Sequence, residues 1–371
     1  MRIAFFMQDR GAVYGAERAT LDLAYGLQRR TGVDVLLILI EEKRLRAADS
    51  DVAGEARLRG IPCRVISTAS RVSPFLISAL RSLLETERVD VLHTIGYKAD
   101  LHGGWATRAG KRTPIVSTVH GWLDRPDRKE RFYGWLNRQA LRRFPRVIVL
   151  SSYYETWLSK LKIRSRVRIP SGFPRDRLIP PDTARASFPD SGLLTFGIMG
   201  RLSAEKNHAM FLRAARRLVE RDAPVRFLIA GEGPDREKIE KAIRNEGLQQ
   251  HVNCVGYCDS DEFMQQLHGL VMCSKMENLP YAIMEAMNWM RPVIATRVGG
   301  IPDLVEDGVT GYLVDLDDDA AMADALSGLM ADPGRRRACG EAGRMKLESE
   351  FGQERAIAKH MNLYAELLSE R

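Results

Sequence analysis

The stretch MENLPYAIMEAMNWMRPVIAT, residues 276–296, decides how the chain folds. It follows an apolar run, LVMCS at 270–274, and closes on a second, PVIAT at 292–296. Between them stands Pro280. Proline is favoured in the first turn of a helix and disfavoured inside one, so a helix should begin near Pro280 or Tyr281. Strand, loop, helix and strand in succession make a βαβ unit, which implies a right-handed crossover and a parallel sheet covered on both faces.

The same alternation extends in both directions. Upstream lie LLTFGIMG (193–200), VRFLIAG (225–231) and HVNCVG (251–256), each reading as a buried strand with helical segments between. The first half of the chain repeats the pattern with RIAFFM (2–7), VDVLLILI (33–40), PCRVIS (62–67), VDVLHT (89–94), TPIVSTV (113–119) and PRVIVLS (145–151). AERATLDLAYGLQRR (16–30) carries Ala19, Leu23 and Leu27 at helical spacing. Between the halves, residues 169–192 hold Pro170, Pro174, Pro180, Pro181 and Pro189 with little periodicity, the mark of a linker. After PDLVEDGVTGYLV (302–314) the pattern is helical to the end. The expected architecture is α/β: two Rossmann-like doubly wound parallel-sheet domains facing a central cleft, with ligands at the carboxyl ends of the strands. Their expected bounds are 1–169 and 193–351, with the linker at 170–192 and a helix near 352–371 as a candidate to pack back on the first domain.

The 371 residues, 45% apolar and 28% charged, suffice for two such cores and exclude a disordered chain. The longest apolar runs fall far short of the roughly 20 residues that a membrane-spanning helix needs. Met1 opens almost directly onto a strand, so an export leader is not expected and a cytoplasmic location is. Cys63, Cys254, Cys258, Cys273 and Cys339 are scattered and odd in number, as suits reduced thiols; Cys254 and Cys258 lack the second pair that zinc requires. The net charge of +8 is uneven: residues 1–180 hold 33 basic and 18 acidic side chains, residues 181–371 hold 23 and 30. A basic half suggests an anionic partner. Within it, DRPDRKERFYGWLNRQALRRFPR (124–146) interleaves eight basic residues with Phe132, Tyr133 and Trp135. Such a segment suits an anionic membrane surface, or else an ordinary solvated helix packing its apolar stripe on the sheet. Nucleic acid is not expected, since no nucleic-acid module is present and the acidic half would repel a long polyanion.

Three segments can carry chemistry. Glu277 and Glu285, with seven residues between them, fall in the loop before the expected helix and more than a turn inside it. They can therefore touch different parts of one extended ligand, with the amides of Asn278, Leu279 and the neighbours of Pro280 facing an anionic portion. GRLSAEKNH (200–208) places Arg201 and Lys206 in a loop before a helix, the charges that a diphosphate leaving group needs. GAVYGAERA (11–19) offers Gly11 and Gly15 for close backbone approach, but it does not fit the dinucleotide fingerprint G-x-G-x-x-G, so a nicotinamide enzyme is disfavoured. The Asp-x-Asp strings Asp259/Asp261 and Asp315/Asp317 precede amphipathic helices and read as caps and first-turn acids rather than a metal clamp; no metal is expected.

Taken together, YGAERA, GRLxxxKN, AGEGP, ENLPYAIMEAM and GGIPDLVEDGVTGYLV resemble the retaining nucleotide-sugar glycosyltransferases of family 4, with the GT-B fold. The resemblance spans most of the chain and is most specific from Gly200 to Val314. It implies a metal-independent, cofactor-free transfer of a hexosyl group from a UDP- or GDP-linked sugar to a hydroxyl of a lipid-linked or envelope polysaccharide glycan; the basic segment 124–146 adds the expectation of an enzyme peripheral to the inner face of a membrane. It implies that Glu277 contacts the donor sugar, Glu285 the ribose, Arg201 and Lys206 the diphosphate, and main chain near Gly256 the base. His120, in TVHG, matches a histidine lining the reaction centre. Tyr14 and Asn278 depart from the family's usual Gly and from its usual Gly or Ser. Other GT-B chemistry, such as epimerisation or phosphorolysis, or a non-catalytic nucleotide-sugar-binding subunit, are the alternatives.

Overall fold

The computed structural model describes residues 1–9, 13–42, 51–68, 72–109, 113–121, 128–188 and 192–370. They form two compact units, Met1–Arg175 together with Phe351–Arg371, and Asp176–Glu350. No helix among the described residues is long and apolar enough to cross a membrane.

In the first unit the chain runs β1 (Arg2–Gln8), α1 (Gly15–Gln28), β2 (Asp34–Glu42), α2 (Asp51–Leu58), β3 (Cys63–Thr68), α3 (Pro74–Thr86), β4 (Val91–Ile95), α4 (Tyr97–Ala106), β5 (Ile115–Val119), α5 (Arg128–Leu141), β6 (Arg146–Val149), α6 (Ser152–Lys160) and β7 (Arg166–Arg168). The strands form one parallel sheet in the order β3-β2-β1-β4-β5-β6-β7. Residues Val35–Ile40 of β2 are buried without alternation, as expected for a strand covered on both faces. Leu36, Ile38 and Ile40 share one core with Leu76 and Leu80 of α3. Because the chain reverses its winding between β1 and β4, those neighbours define a topological switch point.

The second unit runs α7 (Pro181–Ala186), β8 (Leu194–Met199), α8 (His208–Val219), β9 (Val225–Ala230), α9 (Arg236–Asn245), β10 (Val252–Gly256), α10 (Ser260–Gln265), β11 (Gly269–Met272), α11 (Tyr281–Asn288), β12 (Val293–Thr296), α12 (Ile301–Leu304), β13 (Gly311–Val314), α13 (Asp319–Ala331) and α14 (Pro333–Glu350). Its parallel sheet has the order β10-β9-β8-β11-β12-β13, with the switch point between β8 and β11. The decisive stretch is strand, loop, helix and strand, with α11 starting at Tyr281 behind Pro280.

The last helix, α15 (Gln353–Ser369), belongs to the first unit and packs on α1. Gln353 donates to the carbonyl of Asp22 at 2.6 Å, and Tyr364 reaches His93 of β4 at 2.8 Å. The proline-rich stretch between the halves divides between the units. Phe173 pairs with the first unit, its amide donating to Phe351 and its carbonyl accepting from Gln353. Residues from Asp176 onward belong to the second unit, where Pro181 opens α7. A proline at the first helical position costs no hydrogen bond, so clustered prolines here mark breaks in regular structure rather than loose chain.

Asp100 of α4 is buried and accepts from Thr94 (2.6 Å), Ser117 (2.7 Å) and Asn137 of α5 (2.7 Å), tying two strands and two helices together. Burial pushes its carboxyl up to about 6, against the pull of those three donors. A carboxyl with a raised folded pKa stabilises the fold progressively as pH falls from about 6 toward 4. Buried His360, pushed down to about 4, acts in the opposite sense, its contribution being lost as pH falls from 6.5 toward 4. Asp100→Asn removes only the first effect. Its urea-unfolding stability should therefore fall more steeply than that of the parent protein between pH 7 and 4.5, by about 2 kcal/mol.

Candidate active site

The loops that follow β8 and β11 meet at the switch point of the second sheet, and they bring two of the expected residues into contact. Lys206 ends a 3₁₀ turn, Ala204–Lys206, and its Nζ lies 2.5 Å from Oε1 of Glu277. Ser274, two residues past β11, donates to the same oxygen at 2.7 Å. The amide of Lys275 donates to the carbonyl of Glu205, so the two loops are also joined by backbone. Glu277 is therefore held by an ammonium and a hydroxyl. Arg201, exposed, stands in the same loop as Lys206. His208, the first residue of α8, is pushed down to about 4, mainly by burial and further by Lys206, so near neutral pH it brings no charge to the loop.

Three glycines let a further loop lie closely on each of these two. A Cβ on Gly299 would overlap the carbonyl oxygen of Glu277, which also accepts from the amide of Gly300 at 3.0 Å. Gly299 has φ +54°, a conformation that other residues adopt at a cost. A Cβ on Gly231 would overlap the carbonyl of Gly200, and one on Gly233 the carbonyl of Leu202. The AGEGP segment thus lies backbone to backbone on the Arg201 loop, with Leu202 donating to Glu232 at 2.9 Å. Gly256, at the end of β10, passes its carbonyl to the amide of Gly231 at 2.7 Å, which attaches the expected base-binding edge to the same group of loops.

The other expected residues are placed differently. Asn278 and Leu279 are buried in the loop before α11, and Pro280 precedes its first turn. Glu285, buried in α11, makes an ion pair with Arg177, its Oε1 at 3.3 Å from Nη2. Asp259 caps α10 by accepting from Asp261 and Glu262. At α13 the cap is Asp318, while Asp317 accepts from Asn207 at 3.0 Å; the second Asp-x-Asp string thus lies one step before the cap that the sequence assigned to it.

His120 and Gly15 lie in the first unit. Gly15 opens α1 behind Tyr14, and Gly11 lies outside the described residues. His120 lines a cavity of about 30 Å³ with Phe5, His93, Thr118, Ser171 and His360, room for one or two waters. Burial lowers the pKa of His93 and His360, and no acidic, lysine or arginine side chain lines the cavity among the described residues. The interior beside His120 is therefore neutral, in contrast to the basic exterior of this half. Sequence reasoning missed Ser274, Gly299, Gly231 and Arg177; the glycine pairs in GGIP and AGEGP were the available signal.

Comparison with known proteins identifies the family and the fold. Residues 13–177 match the family described as Glycosyltransferase Family 4, and residues 182–346 match Glycosyl transferases group 1. The GDP-mannose-dependent alpha-(1-6)-phosphatidylinositol monomannoside mannosyltransferase of Mycolicibacterium smegmatis is 30% identical over 268 residues, 66% of this chain and 68% of that protein. Alpha-D-kanosaminyltransferase of Streptomyces kanamyceticus is 37% identical over 147 residues, and the match spans only 38% of its length. The structure of Anabaena HepE in complex with UDP and glucose superposes with a TM-score of 0.84 at 20% identity, covering 99% of this chain and all of that one. The chain belongs to the family-4 glycosyltransferases, and its two parallel-sheet units have the GT-B fold.

If the Gly299 contact sets the position of Glu277, Gly299→Ala should destabilise the second unit by about 2 kcal/mol or more. Gly328, exposed in α13 with open space around it, is the control; Gly328→Ala should leave stability level or raise it by about 0.5–1 kcal/mol. Urea-unfolding curves of the two variants separate these outcomes.

Proposed function

We propose that this protein is a retaining hexosyltransferase that moves a sugar from a UDP- or GDP-linked donor to a hydroxyl of a lipid-linked or envelope polysaccharide glycan. It uses neither a divalent metal nor a resident cofactor. The observation that carries the reading is the Lys206–Glu277 contact at the β8/β11 switch point, supported by Ser274 and shaped by Gly299. A pair of this kind suits a ligand that carries both hydroxyls and phosphate charge: Glu277 accepts from sugar hydroxyls, while Lys206 and Arg201 meet the diphosphate.

In the transfer the bond from the anomeric carbon to the diphosphate oxygen breaks, and the electron pair leaves with the diphosphate. Lys206, Arg201 and main-chain amides near Asn278 and Leu279 stabilise the charge that develops there, preorganised so that little rearrangement is needed. The acceptor oxygen bonds to the same face of the anomeric carbon, and its proton passes to the phosphate oxygen that the broken bond exposes. A nucleoside diphosphate leaves readily, so no strong general acid is required. The family resemblance also assigns His120 to the reaction centre, and Gly256 and Gly15 to backbone contact with the donor.

The acceptor class draws support from the phosphatidylinositol monomannoside in the name of the Mycolicibacterium relative. It draws further support from α5, where Phe132 and Trp135 are 55% and 49% exposed and stacked on each other while Asn137 and Leu141 face inward. Such a helix offers aromatic and basic side chains to an anionic bilayer, consistent with a cytoplasmic enzyme held at the inner face of a membrane. Residues 124–127 of the basic segment lie outside the described residues.

Release of nucleoside diphosphate from a panel of UDP- and GDP-sugars, with and without total lipid extract, tests the reading; no release with any donor would sink it. Lys206→Ala should weaken nucleoside diphosphate binding about tenfold or more, as expected when a charged hydrogen bond is lost. Glu277→Ala should lose turnover more than nucleotide affinity, and activity should survive EDTA. Co-sedimentation with liposomes should require anionic lipid, decline with salt and drop in a Phe132→Ser, Trp135→Ser double variant; binding indifferent to all three changes would remove the membrane from the proposal.

A further inference from the structure

The donor-side reading gives Glu285 a task but does not explain how a carboxylate on a buried helix face keeps one orientation. A buried carboxylate needs a partner to offset its desolvation. Here the partner is Arg177, which comes from the segment that had read as linker. It lies two residues past the point where the chain leaves the first unit.

Arg177 is fixed along its whole length by one stripe of α11. Its carbonyl accepts from Nδ2 of Asn288 at 3.0 Å, and the amide of Ile179, two residues on, donates to Oδ1 of the same asparagine at 3.0 Å. Asn288 is itself held by Arg344 of α14, which donates to its carbonyl at 2.6 Å and to its Oδ1 at 2.9 Å. With its peptide pinned in this way, the Arg177 side chain extends toward the N-terminal end of the helix. Its guanidinium reaches Oε1 of Glu285 and lies 5.9 Å from the ring centre of Tyr281. Positions 281, 285 and 288 share one face of a helix, so backbone anchor, ion pair and ring contact line up on a single stripe.

We infer that Arg177 is a positioning residue for the donor's ribose: it fixes the rotamer of Glu285 so that the carboxylate meets the ribose hydroxyls. A carboxylate held by a guanidinium keeps one orientation, and as an acceptor it suits the two neighbouring hydroxyls of a ribose. The inference rests on the donor-side reading, because it assumes that Glu285 faces the ribose. It adds that the segment joining the two units contributes to recognition of the nucleoside and not only to connectivity.

The test is calorimetric binding of UDP and GDP and of their 2′,3′-dideoxy counterparts. The parent protein should favour the ribose form of the better nucleotide by about tenfold, the value of one hydrogen bond to a charged group. Arg177→Met should bring that preference to within twofold while affinity for the dideoxy form stays level, a pattern that general loosening of the fold would not give. If Arg177→Met does not fold, Arg177→Lys serves in its place, since a single ammonium on a flexible stem lacks the planar fork and should lower the preference at least threefold. A variant that folds and keeps the parent's preference overturns the inference and leaves the donor reading standing. A parent protein that binds both forms equally overturns Glu285 as the ribose contact and the inference with it.

Discussion

Two carbonyl oxygens, those of Gly200 and Glu277, sit so close to the neighbouring backbone that only glycine fits against them. The rest of the second unit's site depends on those contacts. Gly231 lets the AGEGP loop lie on the Arg201 loop, and Gly299 lets the GGIP turn lie on the Glu277 loop. The loops after β8 and β11 would be adjacent in any sheet of this order. Close backbone packing is what narrows that adjacency to a single Lys206–Glu277 geometry, since a carboxylate oxygen already engaged by Lys206 and Ser274 has little freedom left.

The two units treat charge in opposite ways. The second is acidic in sequence yet concentrates basic side chains at one switch point. The first is basic in sequence, yet no acidic, lysine or arginine side chain among the described residues lines the cavity beside His120, and burial lowers the pKa of His93 and His360 there. Charge desolvated within a domain is costly unless paired, so the excess arginine and lysine of the first half are found mainly on its exterior. Lys98 is the exception that follows the same rule, fully buried but 2.7 Å from Glu42. The +8 net charge is therefore a property of surfaces, and it carries little information about the interior around His120.

Much of the architecture could be read from the chain. Unbroken apolar runs such as residues 35–40 identified strands covered on both faces, and Pro280 located the start of α11 within a residue. The proline-rich stretch was harder. Its low periodicity described the local backbone correctly but gave no sign that Phe173 would pair with Gln353, or that residues 177–179 would be clamped to Asn288. Those partners are more than a hundred residues away, and periodicity is a local signal. The aspartate strings show the same limit on a smaller scale: capping was the right chemistry for both, but at α13 the chain turns one residue later and Asp318 takes the position.

By itself the sequence determined the alternation of strand and helix, the two sheets and the residue types available for a nucleotide sugar, because hydrophobic period and glycine or proline placement act over a few residues. Only the tertiary structure decided which of those residues meet. Lys206 and Glu277 are 71 positions apart and touch because β8 and β11 are neighbours across a switch point. Arg177 and Glu285 are 108 apart and touch because one face of α11 holds the joining segment. Strand order and helix docking minimise exposed apolar area over the whole unit, and no local pattern encodes that sum.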